Sequence, residues 1–326
     1  MGIKIRTSSR IHLTLIDLNL EVGRVDGGAG IAIEEPHIEI TGNKSEEDSL
    51  TGNIVNLDRF RSVSNKFKHL TGHNASIEVL SDYRSHVGMG SGTQISLAIG
   101  EVYNRIFDLN LSVREIAEIT GRGGTSGIGV AAFQSGGFIV DGGHSTKEKK
   151  GFTPSSASKA SPPPVISRQD FPPWKIVVVT PELSGFSGGD EVSLFEKYCP
   201  VPVEDVRKIS HLILMKMIPS IMENDLDDFG DSLWNIQGLG FKKAEVDQYG
   251  NMIWDVFRNL RELTPAVGMS STGPTVYAIT ETNANAKNIQ KYAAKYFQNM
   301  GLNCEKIITT ARNKGADIDV EGELVE

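Results

Sequence analysis

Hydrophobic positions alternate with polar ones at the start of the chain. In Ile3–Ser8 and again in Ile11–Asp17 an apolar residue occupies every second position, the period of a half-buried strand. Ala29–Glu34, His37–Thr41, Ala75–Leu80 and Gly137–Asp141 read as further strands. The period then changes. Leu57, Phe60, Val63, Phe67 and Leu70 recur at helical spacing, predicting a helix over Leu57–Leu70. A second helix, Thr93–Phe107, carries Ile95, Leu97, Ala98, Ile99, Val102, Ile106 and Phe107 on more than one stripe, as a central helix buried on most sides would. A third, Val113–Thr120, is framed by the capping pair Ser112 and Glu115 and stops at Gly121.

Between His144 and Pro173 the pattern dissolves into "HSTKEKKGFTPSSASKASPPPVISRQDFPP". A solvated linker and a functional lid are both compatible with it. A second unit begins at the strand Lys175–Pro181 and continues through helices at Val203–Met222, Leu226–Ile236 and Met252–Thr264. It ends in a strand "TVYAIT", a helix Asn285–Asn299 and a strand "CEKIITT", a β-helix-β arrangement typical of a small antiparallel α+β domain. The predicted architecture is α+β in two domains: residues 1–145 as a phosphate-binding unit, 146–173 as linker or lid, and 174–326 as the second unit, with the site in the cleft between.

Composition narrows the function. With 326 residues, 39% hydrophobic and 23% charged, the chain is long enough for two cores. The net charge of −8 argues against a broad nucleic-acid surface, so any phosphate must be met locally. Two cysteines form neither a disulfide framework nor a metal cluster and suit a reducing cytoplasm. The N-terminus has no signal-peptide core, and no apolar run approaches the roughly 20 residues of a membrane helix.

The candidate chemistry lies in three glycine-rich segments. "HVGMGSGTQ" runs Gly88, Gly90, Ser91, Gly92 and Thr93 into the start of a helix, where unpaired N–H groups and the positive end of the dipole favour anions. It is not a Walker A loop, and a tight strand-to-helix turn is the competing reading. "GRGGTSGIGVAA" places Arg122 and Ser126 among glycines; its GxGxxA spacing has no preceding hydrophobic strand and is set aside as a dinucleotide signature. "VGMSSTGPTVYAI" places Ser270, Ser271 and Gly273 before a strand in the second half. Arg10, His12, Asp17, Arg24 and Asp26 interrupt apolar strands, which is costly unless they pair or face a cleft. For Asp17 and Arg24 a hairpin-end ion pair competes with a site role, and His12 could be a satisfied sheet residue. His69 and His73 lack a third ligand and do not make a zinc site.

Together "SSRIHLTLID", "GMGSGTQ" and "GMSSTGPTVYAI" resemble the three motifs of the GHMP kinase superfamily over nearly the whole chain. Within it, "GRVDGGAGIAI" and "GRGGTSGIGVAAFQSGGFIVDGGH" resemble a non-kinase branch, the β-ribofuranosylaminobenzene (or hydroxybenzene) 5′-phosphate synthases of methanopterin biosynthesis. The resemblance implies a ribosomal-S5-domain-2-like N-terminal domain and a ferredoxin-like C-terminal domain. It implies a pentosyltransferase reaction in which phosphoribosyl pyrophosphate (PRPP) loses pyrophosphate while 4-hydroxybenzoate or 4-aminobenzoate attacks ribose and loses CO2. One departure from the kinases agrees with this. Ser126 to Phe133, where several GHMP kinases place a catalytic aspartate, contains no carboxylate.

On this resemblance Asp17 or Asp26 would stabilise the ribosyl cation or hold Mg²⁺, and Arg10 or Arg24 would orient the benzoate carboxylate. Asp17, Arg24 and Asp26 are thus the expected catalytic residues. Arg10, His12, Gly88, Gly90, Ser91, Gly92, Thr93, Arg122, Ser126, Ser270, Ser271 and Gly273 are the expected substrate-binding ones. The expected cofactor is Mg²⁺ and no organic group; the partners are these small molecules, neither nucleic acid nor membrane, with a homodimer as an option. An ATP-dependent kinase and a non-catalytic phosphosugar- or nucleotide-binding regulator are the alternative functions.

Overall fold

The computed structural model describes residues 2–155, 157–183, 185 and 189–321. The first half runs β1 (Gly2–Arg6), β2 (Ser9–Asp17), β3 (Arg24–Ile33), β4 (Glu39–Ser45), β5 (Ser49–Gly52), α1 (Leu57–Thr71), β6 (Asn74–Ser81), α2 (Ser91–Ile106), α3 (Val113–Thr120), α4 (Ile128–Ser135), β7 (Phe138–Asp141) and β8 (His144–Ser145). After β9 (Val165–Gln169) and β10 (Lys175–Pro181) come α5 (Gly189–Tyr198) and α6 (Val203–Leu212), then a π-helical turn, Ile213–Met217, leading into α7 (Ile218–Glu223). The remainder is α8 (Leu226–Gln237), α9 (Gly240–Asp247), α10 (Asn251–Leu260), β11 (Ala266–Met269), β12 (Val276–Thr280), α11 (Asn283–Asn299), β13 (Cys304–Thr310) and β14 (Asp317–Glu321).

These elements form three sheets, ordered β14-β1-β4-β6-β5, β2-β3-β7-β9 with β8 also on β3, and β11-β12-β10-β13. All pairings are antiparallel except β5 with β6. Helix α2 is buried along nearly its whole length, as its several apolar stripes predict. Its close neighbours require glycine: a Cβ on Gly42 would lie 2.3 Å from Val102 of α2, and one on Gly100 2.3 Å from Ile116 of α3. The Ser112–Glu115 capping box and the left-handed Gly121 stop are both present at α3. One hydrophobic cluster joins Leu13, Ile31 and Ile99 of the first half to Trp174, Phe229, Leu233 and Tyr277 of the second, so the halves share a core.

Two expectations about organisation are corrected. Residues 146–173, expected as a linker or lid, are partly packed onto the first half, though many of the described ones stay exposed. They carry β9 into the second sheet, and Lys149, Pro162 and Pro163 are buried. Pro162 and Pro163 lie so close to Gly123 and Gly127 that a Cβ on either glycine would come within 3.0 Å of them. The C-terminal segment does not stay in the second unit, because β14 pairs with β1 at the edge of the first sheet. The "GIGVAA" run supplies the residue before α4 and the first turns of that helix, with Gly129 against Thr93 of α2.

Candidate active site

β2 and β3 pair with Arg10 opposite Ala32 and His12 opposite Gly30, and the Ser270–Thr272 turn of the second half docks on β2. The docking is by hydrogen bonds: the His12 N–H donates to Ser270 Oγ (3.0 Å), the Ser271 N–H to His12 O (2.9 Å), and Ser270 Oγ to Gly88 O (2.6 Å). A Cβ at Gly88 would sit 2.2 Å from Ser270 O, and Gly88 has φ +87°. Gly90, the residue before α2, has φ +79°. The two glycines therefore serve a left-handed turn and a close approach between the halves. Gly92 has no such constraint; a Cβ there would meet Arg122 at 3.5 Å.

Behind this turn opens a cavity of about 240 Å³. Its walls come from β2, the loop before α2, the first turn of α2, the 122–126 loop, Pro154 and Ser155, and, from the second half, α5, α9 and the 271–272 turn.

The cavity lining has two chemically different parts. In one, Arg59, His86 and Arg122 gather beside the start of α2. Burial, reinforced by the Arg59 charge, pushes Arg122 down to about 10, and burial with both arginines pushes His86 down. Arg122 Nε is 3.3 Å from Ser96 Oγ, and neither Arg59 nor Arg122 has an acidic partner among the described residues. Like charges crowded at a helix N-terminus in this way are relieved by an anion. The other part of the lining holds Glu191, Phe195, Phe241, Glu245 and Leu15, and the charges that bear on Glu191 are those of Glu245 and Arg10 rather than Arg59 or Arg122. Arg10, whose guanidinium donates to Gly88 O, is the cation whose charge reaches both carboxylates.

Of the predicted binding residues, Arg10, His12, Gly88, Gly90, Ser91, Gly92, Thr93, Arg122, Ser126 and Ser271 line the cavity. Ser270 lies beneath it as the link between β2 and Gly88. Gly273 stands apart, a positive-φ residue against Met269 and Tyr249.

His12 and Ser126 belong to one chain of contacts. His12 Nε2 is 3.1 Å from Ser126 Oγ, which donates to Asp141 Oδ2 at 3.3 Å. Asp141 also accepts the N–H groups of Gly127 and Gly143. Burial, with Arg10 and Lys242 nearby, holds His12 neutral, and its Nδ1 is buried without a partner. The pattern assigns the tautomer with its proton on Nε2, donated to Ser126.

The three expected catalytic residues are not in the cavity. Asp17 accepts the backbone N–H groups of Asn19 (2.8 Å) and Leu20 (3.4 Å), closing the β2–β3 turn. Arg24 is exposed and donates to Gly142 O and Gly143 O. Asp26 is buried, between His144 Nδ1 at 2.6 Å and Lys149 Nζ at 2.9 Å. Their charges on apolar strands are answered by contacts within the protein. Sequence reading missed Arg59, Ser85, His86, Glu191 and Glu245. Arg59 looked like the solvent face of a helix, and the other four sit on segments without a strong periodic signal.

Among the described residues no group of three or more His, Cys, Asp or Glu is placed to hold a metal ion. The hydroxyls and guanidiniums at the cationic end do not fit a resident Mg²⁺, whose preferred protein ligands are carboxylates. No helix among the described residues is long and apolar enough to cross a membrane.

Two family profiles match this chain: GHMP kinases N terminal domain over residues 58–137, and GHMP kinases C terminal over residues 217–299. A β-ribofuranosylphenol 5′-phosphate synthase of Archaeoglobus fulgidus is 58% identical over 98% of this chain and 100% of its own length. The chain belongs to the β-ribofuranosylphenol 5′-phosphate synthase family. The protein of the same name from Methanocaldococcus jannaschii is 43% identical over 96% of this chain and 99% of its own. Solved structures agree on the fold. Homoserine kinase from Cytophaga hutchinsonii superposes with a TM-score of 0.66 at 14% identity, covering 98% of this chain and 97% of that one. Mevalonate diphosphate decarboxylase from Staphylococcus aureus gives 0.64 at 15% identity, covering 98% of each chain. The expected two-domain GHMP fold and the resemblance to the synthase branch both hold.

Proposed function

We propose that this chain is a decarboxylating phosphoribosyltransferase that joins PRPP to 4-hydroxybenzoate, releasing pyrophosphate and CO2. The observation that carries the reading is the cationic end of the cavity, seen in a chain 58% identical along its length to a β-ribofuranosylphenol 5′-phosphate synthase. That name describes a product bearing a phenol, which favours the hydroxybenzoate over 4-aminobenzoate as acceptor.

The residues divide the work by charge. Arg59, Arg122 and the first N–H groups of α2 bind the pyrophosphate and stabilise the charge it gains as the bond to ribose C1 breaks. The 125–126 and 271–272 hydroxyls also line the cavity and suit the ribose 5-phosphate portion. The acceptor carbon already bears the carboxylate, so no proton leaves it, and loss of CO2 restores aromaticity. This accounts for a segment Ser126–Phe133 without an acid. Among the described residues no carboxylate cluster offers Mg²⁺ a site, so a Mg²⁺ ion that accompanies PRPP would be carried by its phosphates.

The test uses PRPP, Mg²⁺ and 4-hydroxybenzoate labelled in its carboxylate. Label should leave as CO2 in step with pyrophosphate release, without ATP. Retained label in a ribosylated product would make the transfer non-decarboxylating, and ADP formed from ATP and an alcohol would return the chain to the kinases.

A further inference from the structure

Helices α5 and α9 carry the same pair in opposite order, Glu191 with Phe195 and Phe241 with Glu245. Residues four apart share one face of a helix, and all four side chains line the cavity. The Phe195 and Phe241 rings lie with centroids 4.5 Å apart at 48°. Glu245 is buried with Oε2 2.5 Å from Lys242 Nζ, and the wholly buried Lys242 also donates to Ser271 O at 2.9 Å. Glu191 forms no ion pair among the described residues. An apolar, aromatic wall with two carboxylates on it is ill suited to phosphate. It suits a flat ring that has a proton to give.

We propose that Glu191 is a catalytic base that takes the hydroxyl proton of the acceptor ring as the carbon opposite attacks ribose. This rests on the transferase reading above and names the part of the substrate that the acidic end receives. The step balances. The O–H proton passes to the Glu191 carboxylate, and the oxygen's electrons move through the ring to form the C–C bond to ribose C1. The bond from C1 to pyrophosphate breaks with its electron pair leaving on pyrophosphate. The ring is then a cyclohexadienone. Its C–CO2 bond breaks, those electrons restore the aromatic ring, and the oxygen recovers the proton from Glu191.

The two carboxylates are not interchangeable. Glu245 is held in an ion pair by Lys242, whereas Glu191 has no such partner among the described residues, and burial and the neighbouring Glu245 charge push it up to about 7, with Arg10 opposing. A base near neutrality is matched to a phenol better than an ordinary carboxylate is. The charged groups that bear on Glu191 are Glu245 of α9 and Arg10 of β2, with Lys242 clamped to Glu245.

Comparison of two acceptors tests the assignment. An aniline donates its nitrogen lone pair without first losing a proton, so 4-aminobenzoate depends less on a base. Glu191→Gln should lower kcat with 4-hydroxybenzoate by about 100-fold or more, and with 4-aminobenzoate by less than about tenfold. PRPP affinity by calorimetry should stay within about twofold, because neither Arg59 nor Arg122 is among the charges that bear on Glu191. The rise of kcat/KM through about pH 7 with 4-hydroxybenzoate, set by Glu191 losing its proton, should vanish in Glu191→Gln. Glu191→Asp should show the same bias between acceptors to a smaller degree, and it carries the test if the Gln variant does not fold. Equal losses with both acceptors, as a metal-binding or purely structural carboxylate would give, overturn the proposal. A wild-type protein that ribosylates neither acceptor overturns the transferase reading itself.

Discussion

Lys149 Nζ lies 2.9 Å from Asp26 Oδ2 and 3.1 Å from Oδ1, with both side chains buried. The same ammonium donates to Gly124 O and Thr153 O, each at 2.8 Å, so one buried ion pair ties β3, the 122–126 loop and the strap that carries Pro154 into the cavity. His144 supports it from the other side of Asp26, where hydrogen bonding and the aspartate charge outweigh burial and raise the imidazole.

Removal of Lys149 leaves the buried Asp26 with His144 as its remaining charged neighbour and strips Gly124 O and Thr153 O of their donor. Lys149→Met should therefore cost about 3–5 kcal/mol in denaturant unfolding. Joining it to Asp26→Asn should recover most of that loss, since no net charge then remains buried at the pair. A double variant as unstable as the single one would mean that the strap is held by something else.

Gly88 and Gly92, though in one motif, should behave oppositely. Gly88→Ala places a Cβ 2.2 Å from Ser270 O at φ +87° and should destabilise the protein by more than about 1 kcal/mol. Gly92→Ala meets only Arg122 at van der Waals distance and should fold as the wild type does. Thermal melts of the two variants decide this; equal melting points would remove the close-approach argument.

Arg59 and Arg122 repel one another, and burial depresses Arg122 to about 10. Arg122→Met should weaken PRPP binding by about tenfold or more while leaving the melting temperature unchanged or higher, because it removes a poorly compensated charge. Binding calorimetry at two salt concentrations should also show a smaller salt dependence in the variant. Unaltered PRPP affinity would place the pyrophosphate elsewhere.

Asp17 and Arg24 give a contrasting outcome. Asp17→Asn weakens acceptance of two turn N–H groups, and Arg24→Ala removes bonds to two carbonyls at an exposed edge. Each should cost about 0.5–1.5 kcal/mol of stability, with kcat/KM within about threefold of wild type. A hundredfold fall in turnover with stability intact would restore them to the chemistry.

Local periodicity was enough for much of the fold. The period-2 runs at Ile3 and Ile11 became β1 and β2, and the Ser112–Glu115 pair framed α3 with its bounds as read. Both signals work because the neighbours that set them lie within a few residues. The glycines of "HVGMGSGT" likewise announced a helix start, but the close approach of Gly88 to Ser270 is visible only in the folded chain.

What the chain could not reveal in one dimension is which partner answers each charge. Asp26 looks the same in sequence whether it faces a substrate or Lys149, which lies 123 residues away along the chain. Glu191 and Glu245 are ordinary helix acids until α5 and α9 pack together and bring Phe195 against Phe241. Burial and electrostatics depend on distances set by the whole fold, so only tertiary structure shows Asp26 paired with Lys149 and His144 and brings Glu191 and Glu245 to the wall of one cavity.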